Sequence, residues 1–167
     1  MAKSNQPEKT NVMRLLEQKK ITYTPHFYAD TDNVAGMEVA MYLGESPERV
    51  FKTLVTVAPT KEYFVFMVPV NGELHLKKAA KAVGAKSIEM IKSKELLPLT
   101  GYIHGGCSPI GMKKRFTTVV DSTALQFDTI FFSAGKIGYQ VECRVTDIEK
   151  LIPLKYADIS GGEPDEQ

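Results

Sequence analysis

The sequence predicts an α+β domain built on a mixed β-sheet, and three observations carry that reading. Apolar residues recur at helical spacing near the start of the chain. Residues 50–58 carry Val, Phe, Thr and Leu on both alternating faces, the pattern of a strand covered on two sides, and the neighbouring run 63–70 is strongly apolar. The second half then turns mostly to strand-like segments with one late helix, which is not the strict alternation of a doubly wound sheet. A chain of 167 residues, 43% hydrophobic and 25% charged, has the size of one domain with one good core. That domain is placed over residues 1–160, and the Gly-, Pro- and acid-bearing tail 161–167 is read as disordered.

The elements follow in order. A first helix is expected over residues 7–19, starting near Asn5 or Gln6, with Val12, Met13, Leu15 and Leu16 toward the core. A short strand over 21–28 accommodates Pro25. Thr31 or Asp32 caps a second helix over 33–43, which turns Val34, Met37, Met41 and Leu43 inward and stops at Gly44. Ser46-Pro47 opens a turn, and Pro59-Thr60-Lys61 is short enough to fold the strand 50–58 back on 63–70. A helix from residue 73 or 74 to 83 packs Leu74, Leu76 and Ala80 and ends at Gly84. Strands are expected at 88–91, 116–120, 127–132 and 139–144, the last two joined as a hairpin across 133–138, and a short helix at 146–151 halts before Pro153.

The net charge of +1 hides an asymmetry. Residues 77–115 hold nine basic side chains against Glu89 and Glu95, a local +7 that leaves −6 for the remainder. Such a run is commonly a solvated face, but beside a glycine-rich loop it also fits a polyanion, since each neutralised phosphate releases counterions. No apolar run approaches the roughly 20 residues of a membrane span, and the first residues lack the apolar stretch of a signal peptide. Cys107 and Cys143 are too few for a disulfide framework. The expectation is a soluble, cytoplasmic protein.

Two segments carry the candidate chemistry. Lys52 stands inside the buried-strand pattern, where an unpaired ammonium costs several kcal/mol unless it escapes to solvent or its charge is used. It either lays its stem along apolar surface with the head in water or serves a ligand. Residues 100–111 contain four glycines and a proline, which excludes a regular element. They form a tight multiple turn or a loop whose main-chain N–H groups face an anionic or carbonyl ligand.

Other constellations are set aside. His104 and Cys107 supply only two soft ligands, and His26, His75 and Cys143 have no metal-site spacing, so no metal is expected. Residues 133–138 resemble a phosphate loop only superficially: Ile130 stands where its first glycine belongs, and Ile137 where a Ser or Thr would hold magnesium. An i, i+3 spacing in an irregular loop fixes no Cys–His geometry, and Ser108 has no evident Ser-His-Asp arrangement.

The segments FKTLV, LKKAAKAVGAK, TGYIHGGCSPIGMKKR, DSTAL and FSAGKIG, in this order, resemble the YbaK/EbsC family of small aminoacyl-tRNA deacylases, over about residues 9–159. The resemblance implies a sheet curled into a barrel-like core flanked by helices. It implies trans-acting hydrolysis of a mischarged aminoacyl-tRNA, Cys-tRNA(Pro) foremost, with Lys52 as the essential residue. It also places Tyr28, Thr53, Gly105, Gly106 and Ser133 at the substrate pocket. In an ideal strand Thr53 lies on the face opposite Lys52, so its contribution needs a twist or a main-chain contact.

The Gly105 and Gly106 N–H groups are candidates to hold the developing oxyanion, Lys52 the carbonyl or phosphate end, and Lys113, Lys114 and Arg115 the RNA. A cysteinyl ester brings its own thiol, so no protein nucleophile and no cofactor are required. The expected partners are aminoacyl-tRNA and prolyl-tRNA synthetase, without membrane or DNA. Two readings stay open beside this one: a water-using deacylase for another misacylated tRNA, and a noncatalytic module that binds a tRNA end or a synthetase.

Overall fold

The computed structural model describes residues 8–28 and 36–161, with Gly36 and Met37 as backbone only. The expected caps Asn5, Gln6, Thr31 and Asp32, the side chains of Val34 and Met37, and the tail after Gly161 lie outside that range.

Helix α1 (Asn11–Gln18) starts later than expected, because Thr10 is its cap and accepts a hydrogen bond from the Met13 N–H at 3.3 Å. Val12, Met13 and Leu16 are buried as the spacing predicts, with Leu15 partly so. Strand β1 (Thr24–Phe27) follows, then α2 (Gly36–Leu43). The inward face of α2 carries Val39 and Ala40, whereas Met41 is 76% exposed, which corrects the expectation for that side chain. The fully apolar run Val39-Ala40-Met41 left the helix phase undetermined in the sequence.

Strand β2 (Phe51–Val57) pairs antiparallel with β3 (Tyr63–Pro69) along its whole length, from Phe51 opposite Pro69 to Val57 opposite Tyr63. Helix α3 (Leu76–Val83) is capped by the His75 ring and stopped by Gly84 in the left-handed region, and it packs Ala79 and Ala80 on the sheet. Strand β4 (Glu89–Met90) is brief. Helix α4 (Ser93–Thr100) was not anticipated; Pro98 near its end disguised it.

Strands β5 (Thr117–Asp121), β6 (Ile130–Ser133) and β7 (Tyr139–Cys143) follow, then α5 (Val145–Ile148) and a further unanticipated strand, β8 (Leu154–Ala157), directly behind Pro153. Residues 122–126, which the hydrophobic pattern leaves unassigned, form a 3-10 helix.

Two sheets result. One has the order β1-β7-β6 and is antiparallel; the other has the order β4-β2-β3-β5-β8, antiparallel through β3 and parallel beyond it. A parallel bridge between Val50 and Phe131 joins them. The fold is therefore the expected α+β domain with mixed pairing, and its barrel-like core consists of two sheets stitched along one seam rather than a closed barrel. Helix α1 closes the larger core over Phe51, Phe132 and Val141, and α3 covers a second core around Phe64, Phe66 and Val119.

Candidate functional site

Pairing along β2 creates the site. On one side β2 is fully paired with β3; on the other, β4 reaches only Thr56 and Val57, and the bridge to Phe131 holds only Val50. Between them the strand edge is open. The Ile91 N–H donates to the Val55 carbonyl at this edge, so by strand alternation Thr53 directs its main-chain groups to the same side.

A cleft of about 160 Å³ runs along this edge, and the five consecutive residues Val50 to Leu54 line it. That removes the geometric difficulty for Thr53: ligand access is along the strand edge, so Lys52 and Thr53 both reach the cleft although their side chains leave opposite faces.

Tyr28 from the end of β1, Ser133 from the end of β6 and Gly105 from the glycine loop complete the convergence of five of the six expected pocket residues. Lys52 is half-buried and makes no ion pair among the described residues. The apolar walls come from Val39, Leu54, Val70 and Leu96.

Gly106 has a different place from the one expected. It does not line the cleft, and its N–H donates to the Ile103 carbonyl at 2.9 Å, which corrects its assignment as an oxyanion donor. Its lack of a side chain serves packing instead. A Cβ there would stand 3.2 Å from the Ile137 nitrogen and 3.4 Å from two Lys136 backbone atoms, so the glycine lets the loop lie against the β6–β7 turn. The Gly105 N–H has no hydrogen-bond partner among the described residues.

Tyr102 fixes the other end of the loop. Its hydroxyl donates to the Ile110 carbonyl, and burial pushes its pKa up to about 12, so it remains a donor throughout the physiological range. Its ring fits because Gly111 and Gly135 leave room: a Cβ at either would come within 3.0 Å of the tyrosine.

Two polar atoms of cleft-lining residues have no hydrogen-bond partner among the described residues. The Thr53 Oγ1 and Gln140 Oε1 atoms are buried, make no hydrogen bond among the described residues, and belong to residues that line the cleft. Gln140 escaped the sequence reading. The signal available was its register opposite Ser133 in the hairpin. Ser133 itself is a strand residue whose hydroxyl accepts from the Gly135 N–H at 3.0 Å.

Cys107 and His104 also line the cleft. Burial pushes the Cys107 thiol up to about 12, so it stays protonated and is a poor nucleophile at neutral pH. Among the described residues no three His, Cys, Asp or Glu side chains group as metal ligands.

A polar cluster secures the seam beside the cleft. The Glu142 carboxylate receives the Thr129 hydroxyl at 2.6 Å and lies 3.0 Å from His26 Nε2 and 3.5 Å from Arg49, whose guanidinium also stacks 5.2 Å above the Phe131 ring. Burial alone would raise the Glu142 pKa, but these hydrogen bonds and charges hold it below the usual value.

Six side chains of the basic run divide between two surfaces. Lys77, Lys81 and Lys86 lie around α3, whereas Lys113, Lys114 and Arg115 line a separate groove of about 640 Å³.

The chain that builds this cleft is similar in sequence and fold to known proteins. The aminoacyl-tRNA editing domain matches residues 31–151. The chain belongs to this family.

It is 45% identical over 164 residues, covering 98% of this chain and all of the relative, to EbsC of Enterococcus faecalis, whose name carries a provisional assignment as a Cys-tRNA(Pro)/Cys-tRNA(Cys) deacylase. A proline–tRNA ligase of Pelobacter propionicus is 30% identical over 105 residues, a match that covers 63% of this chain but only 18% of the ligase. A crystal structure described as a provisional trans-editing enzyme for prolyl tRNA synthetase superposes with a TM-score of 0.77 at 21% identity, over 90% of this chain and 95% of that one, and supports the fold. The editing-domain chain is an aminoacyl-tRNA deacylase, an ester hydrolase. Among its described residues no helix is long and apolar enough to cross a membrane.

Proposed function

We propose that this editing-domain chain hydrolyses Cys-tRNA(Pro) in trans, with the cysteinyl thiol of the substrate as the nucleophile. The observation that carries the reading is the lining of the cleft: a lysine and two buried acceptors that have no partners among the described residues, beside a cysteine whose thiol burial keeps neutral.

In this reading binding of the substrate α-ammonium turns the buried acceptors Gln140 Oε1 and Thr53 Oγ1 toward the cleft, where it donates to them. The Lys52 ammonium lies beside the substrate sulfur and lowers its pKa from the ordinary value of about 8.5. The thiolate attacks its own ester carbonyl. A carbon–sulfur bond forms, the negative charge passes to the carbonyl oxygen facing the Gly105 N–H, and the carbon–oxygen bond to the ribose breaks. The ribose oxygen takes a proton, tRNA leaves, and water opens the resulting thiolactone to cysteine. Holding sulfur and carbonyl in near-attack geometry is the main contribution of the cleft.

A cleft of about 160 Å³ admits an aminoacyl end and leaves the body of the tRNA outside. Prolyl-tRNA synthetase is the proposed partner that supplies tRNA identity, in the cytoplasm where charged tRNA is made. The likeness of this domain to a segment of a proline–tRNA ligase supports that pairing. The test is release of amino acid from purified Cys-tRNA(Pro), Ala-tRNA(Pro) and Pro-tRNA(Pro), with and without the synthetase. Release is expected from the cysteinyl ester far above the other two; equal rates on all three would remove the thiol from the mechanism.

A further inference from the structure

We propose that Lys19 and Lys150 join Lys113, Lys114 and Arg115 in one phosphate-binding groove that takes the RNA backbone next to the aminoacyl end. This rests on the deacylase reading above, and names a site that the position of the basic run alone does not reveal.

The groove of about 640 Å³ is assembled from three remote stretches: the C-terminal end of α1 with Lys19, the loop 109–116, and the residues after α5 beginning with Lys150. All five cations are exposed. Lys19, Lys113, Lys114 and Arg115 have no carboxylate within ion-pair distance among the described residues, and Lys150 has only Asp147, at 3.4 Å between partly exposed side chains. Five positive charges facing one carboxylate repel one another in the free protein and are complementary to a polyanion.

The occupant follows from continuity with the cleft. Gly105 and Cys107 line the cleft, and the same loop runs on to line the groove from Pro109 to Phe116. Cys107 and Lys113 are six residues apart, so at most about 20 Å separates them, a span that a few unpaired nucleotides can cross. Tyr102 clamps the chain between the two sites through its hydrogen bond to the Ile110 carbonyl. An aminoacyl end seated in the cleft thus leads its RNA toward the groove, where cations contact phosphates without reading bases.

The experiment measures binding of uncharged tRNA(Pro) by fluorescence anisotropy across a salt series, for the intact protein, a Lys19→Gln/Lys150→Gln variant and a charge-matched Lys61→Gln/Lys86→Gln control. Lys61 and Lys86 are exposed and lie off the groove, and Lys86 belongs to the basic run. The groove variant is expected to lose about 5-fold in affinity per lost contact near 0.1 M salt, and its slope of log K against log salt is expected to flatten by about 1.4 to 1.8. The control should move neither quantity.

Turnover of the cysteinyl ester of adenosine, too short to reach the groove, should be unchanged in the groove variant. Equal losses in both variants, or none in either, would overturn the groove. An intact protein that binds tRNA through the groove but hydrolyses neither cysteinyl-tRNA nor the adenosine ester would overturn the deacylase reading and leave the groove standing.

Discussion

Replacing Gly106 with Ala tests how the glycine loop is held. The backbone at Gly106 needs no left-handed conformation, so alanine meets no torsional obstacle there. The obstacle is contact. The added methyl carbon would stand 3.2 Å from the Ile137 nitrogen and 3.4 Å from the Lys136 carbonyl carbon and Cα, against the about 3.5–4.0 Å at which such atoms rest comfortably. All three neighbours are main-chain atoms of the β6–β7 turn, so none can rotate away as a side-chain tip would.

Either the turn or the loop must therefore shift by a few tenths of an ångström, at an overpacking cost of about 1–3 kcal/mol. Because Gly105 and Cys107 flank the residue and line the cleft, the shift moves the Gly105 N–H, the proposed oxyanion donor. A loss of about 10- to 100-fold in kcat is expected, since misplacement by about 1 Å can cost two orders of magnitude. Urea unfolding and single-turnover deacylation measured on the same preparation check both parts. A Gly106→Ala protein with unaltered stability and turnover would refute the packing argument.

Further outcomes follow from the same geometry. Lys52→Ala should abolish deacylation while the protein still folds, because Lys52 is half-buried and its removal strands no partner among the described residues; Lys52→Arg should not rescue, since a planar fork does not replace a compact ammonium. Circular dichroism beside the rate assay distinguishes lost chemistry from lost fold. Cys107→Ala should retain most turnover, because the thiol is neutral at working pH. Tyr102→Phe should cost about 1–3 kcal/mol in urea unfolding by leaving the Ile110 carbonyl without its donor. Glu142 has a folded pKa below its unfolded value, so its contribution to stability is full above about pH 5 and is lost as pH falls through the folded pKa. Glu142→Gln should accordingly flatten the acid side of a Tm-versus-pH profile.

Much of the architecture was legible because its signals are local. The apolar runs of β2 and β3, the short link between them, and the glycine that stops α3 each determine structure over a few residues. Elements whose definition is tertiary were not. Helix α4 carries an internal proline, and β8 exists because β5 offers it a parallel partner.

The site shows the same division. Lys52 stood out as a charge in an apolar strand, but why Thr53 shares its cleft became clear only from the open strand edge. Gly105 and Gly106 look alike in sequence; a hydrogen bond to Ile103 and the approach of residues 136–137 separate their roles. Gln140 has only its register opposite Ser133 as a sequence signal, and its significance, a buried acceptor without a partner among the described residues, is tertiary.

The most direct test of thiol-assisted deacylation compares Cys-tRNA(Pro) with S-methylcysteinyl-tRNA(Pro), measuring single-turnover release together with binding of each substrate. Methylation keeps the ester, the ammonium and the tRNA but removes the nucleophile. Comparable binding with release slowed by at least about 100-fold is the predicted result, because loss of a positioned intramolecular nucleophile forfeits its effective molarity. Equal release from both esters would assign the attack to water and contradict the central claim.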